Sequence, residues 1–313
     1  MKKKKVFIIL GPTSSGKTSL ALDLCRKYNG EIVSVDSRQI YKGMDIGTGK
    51  IPVDNKIVVE KGDGLWVLDG IKIWGYDLTT LDVFFSGYNF ALFALAKTKE
   101  ILKSGRNVFL VGGTGFYIDL FTGKVKPSKV KPDLGLRDSL NSMSLGELQV
   151  KLSKLNPEVF KKIDEKNKIR LVRAIEREVS KEVNEKNLSY IKNCDFIYIG
   201  LNAPREILHK KSDLWVDRIF EVGVTSEVKN LLKPGYKDCS KLGGLVYKSV
   251  VQLINGELSK DAVVQQAKYD VHKYIKRQIT YFRKNKDVFW VDVSKDDYRK
   301  IIYNKVEREL RDE

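Results

Sequence analysis

Apolar and polar positions alternate along the first part of the chain in two different rhythms. Val6 to Leu10 is an unbroken apolar run and predicts a buried strand. Lys17 to Tyr28 reads as an amphipathic helix, with Ser19-Leu20-Ala21-Leu22-Asp23-Leu24 at its centre and Asn29-Gly30 as its stop. Glu31 to Val35 is a second strand, and it delivers Asp36-Ser37-Arg38-Gln39 at its C-terminal end. Gly43 to Lys50 is a loop. Leu65 to Trp74 carries Asp69-Gly70 between apolar runs, a hairpin signal. Phe84 to Lys103 predicts a helix with Phe90, Leu92, Leu95, Ala96 and Leu102 facing inward. Asn107 to Val111 is a further buried strand running into Gly112-Gly113-Thr114-Gly115-Phe116-Tyr117. Strands alternating with helices predict an α/β domain built on a parallel sheet.

From about Lys124 the pattern changes. Pro127 and Pro132 punctuate a lysine-rich stretch, and short amphipathic helices continue to about Lys192. Residues 124–193 therefore read as a mainly helical insertion, with 1–123 and 194–313 as the α/β core. Phe196 to Leu201 returns as a strand, and Pro204 starts a helix. Glu206 to Phe220 and Thr225 to Leu232 are helical. Ser259 is the expected N-cap of a long helix reaching about Arg283, with Val263, Val264, Ala267, Val271 and Ile275 on its apolar side. Val288 to Val293 is a late strand, and a charged helix closes the chain.

Composition narrows the function classes. With 42% hydrophobic and 31% charged residues, the 313-residue chain has the composition of a soluble globular protein. Met1-Lys2-Lys3-Lys4-Lys5 before Val6 imitates a signal peptide, but the apolar run is short and no small-residue cleavage site follows. No stretch reaches the length of a membrane span. Cys25, Cys194 and Cys239 are odd in number and far apart, so they read as reduced thiols of a cytoplasmic protein. His209 and His272 are too few for a metal cluster and read as plain surface or half-buried residues. The net charge of +17 suits a polyanionic partner such as nucleic acid, although general lysine enrichment would produce it too.

The chemistry-bearing stretch is Val6 to Thr18. Gly11, Gly16, Lys17 and Thr18 fit G-x-x-x-x-G-K-[ST], directly after a strand and before a helix. In such a loop, Gly11-Pro12-Thr13-Ser14-Ser15-Gly16 turns backbone N–H groups toward a phosphate. Lys17 adds a point charge, Thr18 offers a hydroxyl to Mg²⁺, and the helix N-terminus faces the anion. Parallel neighbouring strands would bring three loops together: 11–18, 36–39 and 112–117. Asp36 is then a candidate proton acceptor or water-mediated Mg²⁺ partner, with a helix N-cap as the alternative. Thr114 is a candidate phosphate contact, with a turn residue as the alternative.

Three of these segments together carry a family resemblance. Gly11 to Thr18 (GPTSSGKT), Ser34 to Lys50 (SVDSRQIYKGMDIGTGK) and Val111 to Tyr117 (VGGTGFY) resemble the tRNA dimethylallyltransferases, also called tRNA isopentenyltransferases. Leu136-Arg137, Ile169 to Ala174, Gly223 to Val228 and Lys276 to Arg283 match further family segments in order, so the resemblance covers nearly the whole chain. It implies a P-loop NTPase-like fold and transfer of a dimethylallyl group from dimethylallyl diphosphate. The implied acceptor is N6 of the adenosine immediately 3′ of the anticodon, presented by the anticodon stem-loop of tRNA.

On this resemblance the loop from Gly11 to Thr18 cradles the diphosphate, with Mg²⁺ held by Thr18. Asp36 accepts the N6 proton or orients the amine, Lys17 neutralises the charge that develops on the leaving diphosphate, and Thr114 lines the tRNA channel near the reacting centre. Ser37, Arg38 and Gln39 contact the extruded adenine and its neighbours. Arg137, Arg170, Arg173 and Lys248 grip the RNA. Arg277 and Gln278 match the family too, and a structural role suits them as well as RNA contact.

The chain departs from the pattern in places. Trp215 stands where the family usually has an arginine before Gly223, and Arg218 is a substitute candidate for the phosphate contact. Leu245-Val246-Tyr247-Lys248 replaces an I-G-Y-K-like segment, and Trp74-Gly75-Tyr76-Asp77 lacks the usual paired histidines. The competing readings are a small-molecule P-loop kinase, a transferase acting on free AMP, ADP or ATP, and a non-catalytic RNA-binding relative. A monomer is expected.

Overall fold

The structure, a computed structural model, describes residues 3–51, 59–128, 130, 132–180, 188–233 and 240–311. Cys239 lies outside the described residues. The chain opens with strand β1 (Lys4–Leu10), helix α1 (Lys17–Lys27) and strand β2 (Gly30–Ser34). A meander follows, β3 (Val59–Gly62), β4 (Leu65–Leu68) and β5 (Ile71–Trp74), and then α2 (Gly87–Lys103), β6 (Asn107–Gly112) and α3 (Gly115–Thr122). Next come α4 (Leu134–Ser142), α5 (Leu145–Leu155), α6 (Pro157–Lys162) and α7 (Lys168–Val179). Strand β7 (Cys194–Asn202) leads to α8 (Arg205–Val222), α9 (Val224–Leu231), α10 (Leu245–Ile254) and α11 (Lys260–Phe282). Strand β8 (Phe289–Asp292) and α12 (Tyr298–Arg311) close the chain.

All eight strands form one sheet in the order β3-β4-β5-β2-β6-β1-β7-β8. From β5 to β8 every pairing is parallel, with Leu10 level with both Gly112 and Gly200. Parallel strands are covered on both faces, which is why Val6 to Leu10 has no polar position. The sheet is mixed, since β3, β4 and β5 pair antiparallel at one edge. Asp69 and Gly70 both have positive φ, 47° and 76°, as a two-residue hairpin with right-handed strand twist requires. The hairpin is where the sequence predicts it; the strand β3 beside it has no counterpart in the predicted elements.

Helix α2 is rotated from the expected face. Phe90, Ala91, Ala94, Leu95, Thr98 and Ile101 are buried, whereas Leu92 and Ala96 face outward and Leu102 is half-buried. A 3.6-residue period puts 90, 91, 94, 98 and 101 on one face, and Ala91, Ala94 and Thr98 on it let the helix approach the sheet closely. Ser86 caps this helix, accepting the Asn89 N–H at 3.2 Å. Helix α10 likewise has no counterpart in the predicted elements.

The chain divides into two compact units, Met1–Val125 with Ser189–Glu313, and Lys126–Leu188. The first contains the sheet, whose central strand buries Phe7 and Ile9 on one face and Val6, Ile8 and Leu10 on the other. The second is helical and has its own small core of Leu140, Leu148, Leu152, Leu171, Val172, Ala174 and Ile175. Asp133, Ser144, Asn156 and Asn167 cap its helices by accepting N–H groups of the first turns. Among the described residues no helix is long and apolar enough to cross a membrane.

Candidate active site

The loop after β1 wraps tightly. Gly11 has φ 145°, and a Cβ there would lie 2.3 Å from the Leu201 carbonyl oxygen, so only glycine fits. Ser15 Oγ and Lys17 Nζ both donate to the Pro12 carbonyl, at 2.8 and 2.6 Å. Gly16 caps α1 without a side-chain acceptor, so no side chain of the cap engages the first-turn N–H groups that would face an anion. Burial lowers the Lys17 ammonium to a pKa of about 8, and the nearby Asp36 charge opposes that shift.

Asp36 follows β2 at the same sheet edge. It does not cap a helix: its Oδ1 accepts the Arg38 N–H at 2.8 Å and closes an Asx turn. Thr114 Oγ1 accepts the Ser37 N–H at 3.0 Å and reaches Ser37 Oγ at 3.4 Å, joining the β2 and β6 loops. Arg38 donates to the Lys241 carbonyl. Gln39 is buried, accepting from Ser34 Oγ at 2.7 Å and donating to the Thr48 carbonyl at 3.1 Å. Arg38 and Gln39 therefore hold neighbouring backbone in place.

Lys17, Thr18 and Asp36 open onto one cavity of about 560 Å³. Its walls mix the phosphate loop with apolar and aromatic side chains, among them Ile32, Ile51, Tyr76, Trp215, Val271 and Tyr274. Helix α8 presents Lys211, Leu214 and Trp215 to this space. Arg218 does not line the cavity; it is exposed and paired with Glu221 at 2.9 Å. Its expected phosphate contact is thus not met by its position: two helical turns carry it about 10 Å along the axis from Lys211, past the end of the cavity lining. Val246 is fully buried in the first turn of α10 and lines the cavity; the unusual backbone falls on Leu245, with φ 53°.

A wall of the cavity is the loop carrying Gly47, Thr48 and Gly49. Glu227 of α9 holds it from behind, accepting the N–H groups of Asp45, Ile46 and Gly47 at 2.9, 2.6 and 3.1 Å. The fully buried Lys50 ammonium donates to the Tyr41 carbonyl and to Asp45 Oδ1, both at 2.8 Å, and pairs with Asp77. Burial of an ammonium is tolerated here because its hydrogen bonds are satisfied.

The basic residues expected to meet RNA divide into two kinds. In the helical unit, Arg137 makes a two-pronged pair with the buried Glu176, at 2.8 and 3.0 Å, and Arg173 donates to the same carboxylate at 2.7 Å. Arg170 is exposed, its nearest carboxylate Asp164 at 3.9 Å. In the other unit, Lys248 and Arg277 are exposed. The two histidines stack, ring centroids 3.7 Å apart, and His272 Nε2 lies 2.7 Å from Asp213.

Four residues of the site were not assigned there from sequence. Gln278, left open between two roles, is buried on the α11 stripe with Val271, Ile275 and Phe282, and an amide on an apolar stripe was the available signal. Tyr274 shares that helix and lines the cavity; burial, and the charge of Asp36, raise its phenol pKa. Lys211 sits one helical turn before Trp215. Glu227 had no local signal, since its partners lie about 180 residues away.

A phosphate loop after β1, with an acidic residue at the end of β2, a parallel strand on the far side of β6, defines an α/β protein with a P-loop NTPase-like fold. Comparison with known proteins gives the family. The IPP transferase family model matches residues 39–285, the isopentenyl transferase model matches residues 4–69, and the chain belongs to the IPP transferase family. It is 36% identical to a tRNA dimethylallyltransferase of Acetivibrio thermocellus, over 96% of this chain and 95% of that one. It is 34% identical to the corresponding protein of Bacillus pumilus, over 94% and 92%. The fold is similar to the tRNA isopentenylpyrophosphate transferase of Bacillus halodurans, with TM-score 0.68, 30% identity and 99% of each chain covered.

Proposed function

We propose that the chain is a tRNA dimethylallyltransferase. It transfers the dimethylallyl group of dimethylallyl diphosphate to N6 of the adenosine immediately 3′ of the anticodon and releases diphosphate. The observation that carries this reading is the shared cavity. Lys17 and Thr18 supply a diphosphate cradle, Asp36 a carboxylate, and Trp215, Ile51 and Val271 an apolar surface suited to a five-carbon group. A net charge of +17 fits an RNA substrate.

In this reaction the allylic C1–O bond breaks, the electron pair leaves with diphosphate, and the N6 lone pair forms the new C–N bond. Lys17 and the N-terminus of α1 neutralise the charge that builds on the departing oxygen. Asp36, held by its Asx turn, accepts the N6 proton. The adenine must leave the loop stack to reach it. Exposed Arg170, Lys248 and Arg277 supply phosphate contacts; Arg137 serves by fixing Glu176 and the helical core. The protein acts as a cytoplasmic monomer.

Mg²⁺ suits the donor set. Among the described residues no group of three or more His, Cys, Asp and Glu side chains forms a protein-only metal site. A hard cation that keeps several waters and is shared with substrate phosphates needs only Thr18, with Asp36 through water. It would supply further charge neutralisation on the leaving group.

The test is incubation with Mg²⁺, labelled dimethylallyl diphosphate, and either an anticodon stem-loop RNA or free AMP. Label entering the RNA at the adenosine 3′ of the anticodon is expected. Label in AMP alone points to the free-nucleotide transferase. Label in neither leaves a kinase or a non-catalytic RNA-binding relative.

A further inference from the structure

The side chain of Gln278 joins the two halves of the cavity. Its Oε1 accepts the Thr13 N–H of the phosphate loop at 2.9 Å, and its Nε2 donates to the Gly113 carbonyl at 3.1 Å. The residue is 5% exposed and comes from α11, so it approaches both loops from outside the sheet. Gly113 is shaped to receive it. A Cβ at Gly113 would lie 2.1 Å from Gln278 Nε2, and every other neighbour of that Cβ lies 3.4 Å or more away. The next residue along, Thr114, is the one whose hydroxyl accepts the Ser37 N–H beside Asp36. A continuous chain of hydrogen bonds therefore runs from the phosphate loop, through the Gln278 amide and the Gly113-Thr114 backbone, to the turn that carries Asp36.

We infer that Gln278 is a positioning residue that sets the distance between the diphosphate cradle and the proton acceptor. The inference rests on the proposed transfer reaction. In that reaction the electrophilic carbon is fixed by the diphosphate and the nucleophilic nitrogen is oriented at Asp36, so the rate depends on the spacing of two loops from different strands. Backbone pairing between β1 and β6 fixes that spacing only up to Leu10 and Gly112. Beyond the strand ends, among the described residues, the Gln278 amide links the phosphate loop to the β6 loop, and the Thr114 N–H, donating to the Val35 carbonyl at 3.2 Å, continues the link to the Asp36 turn. Its burial leaves no room for RNA contact, which decides between the two roles its sequence position allowed. An error of about 1 Å between reacting groups lowers a rate by about 100-fold.

The experiment compares wild type, Gln278→Ala, Gly113→Ala and the double variant in single-turnover transfer to an anticodon stem-loop, with inorganic pyrophosphate binding and melting temperature alongside. Wild type labels the RNA. Each single variant lowers the saturating rate by about 10- to 100-fold. The KM for dimethylallyl diphosphate and pyrophosphate affinity stay within about threefold, because the cradle itself persists. In the double variant Gly113→Ala adds no further loss, since the atom it would strike is gone. A Gln278→Ala rate within twofold of wild type, or losses that multiply in the double variant, overturns the assignment. So does a fall in pyrophosphate affinity and melting temperature that accounts for the whole loss. Failure of wild type to label RNA overturns the transfer reading itself, and is seen before any variant is compared.

Discussion

The Tyr247 hydroxyl donates to Glu227 Oε1 at 2.7 Å, and that carboxylate also takes three consecutive backbone N–H groups of the 45–47 loop. One side chain from α9 and one from α10 thus fix a loop that belongs to neither helix, and Tyr247 lines the cavity beside it. Glu227→Gln keeps the size but turns an amide N–H₂ toward N–H donors. Since an unsatisfied buried donor costs about 1–3 kcal/mol, we expect a loss of about 2 kcal/mol in denaturant unfolding. Tyr247→Phe, which removes one of the four bonds, loses less. Equal losses would show that the carboxylate is not the anchor.

Lys17 gives a pH dependence with a definite sign. Burial brings its pKa to about 8 in the unliganded protein. The ammonium is present below that value and lost above it, so affinity for dimethylallyl diphosphate is full below about pH 8 and falls as pH rises through it. A bound anion stabilises the ammonium, so the saturated rate holds to higher pH than kcat/KM does. Lys17→Met removes this limb of the kcat/KM profile.

Asp36→Asn separates geometry from proton transfer. Asparagine still accepts the Arg38 N–H and keeps the turn. RNA affinity by filter binding stays near wild type, while transfer falls by about 10²- to 10⁴-fold, the range for loss of a general base. A rate near wild type removes Asp36 from that role.

Lys211 and Arg218 share helix α8 but face different surroundings. Lys211→Ala raises the KM for dimethylallyl diphosphate by about five- to tenfold, roughly the 1–1.4 kcal/mol of one partly exposed charged contact. Arg218→Ala changes it by less than about twofold, because an exposed pair with Glu221 contributes little. The reverse order would return the phosphate contact to Arg218.

In the helical unit, Arg137→Ala strips a buried carboxylate of its two-pronged partner and destabilises that unit by about 3 kcal/mol, seen in thermal unfolding. Arg170→Ala leaves stability unchanged. It weakens RNA binding and reduces the slope of log K against log salt by about one.

Much of this molecule follows from local pattern. The apolar run Val6 to Leu10, the G-x-x-x-x-G-K-T spacing and the placement of Asp36 and Gly112-Gly113 after strands are enough to put three loops at one sheet edge, because parallel strands share a C-terminal edge. Ser259 and the Asp69-Gly70 turn were legible for the same reason: their hydrogen bonds and dihedral preferences involve residues within a few positions. What sequence periodicity left open was rotation and pairing. Leu92 and Ala96 look as inward as Ala91 and Ala94 until the sheet selects a face. Nothing local tells that Arg137 meets Glu176, that Arg218 turns to solvent while Lys211 meets the cavity, or that Gln278 spans Thr13 and Gly113. The chemistry of this chain was written into short segments, because a phosphate cradle is made of consecutive backbone. The distances between its parts belong to the tertiary structure alone, because they are set by side chains that sit far from the cradle in sequence and beside it in space.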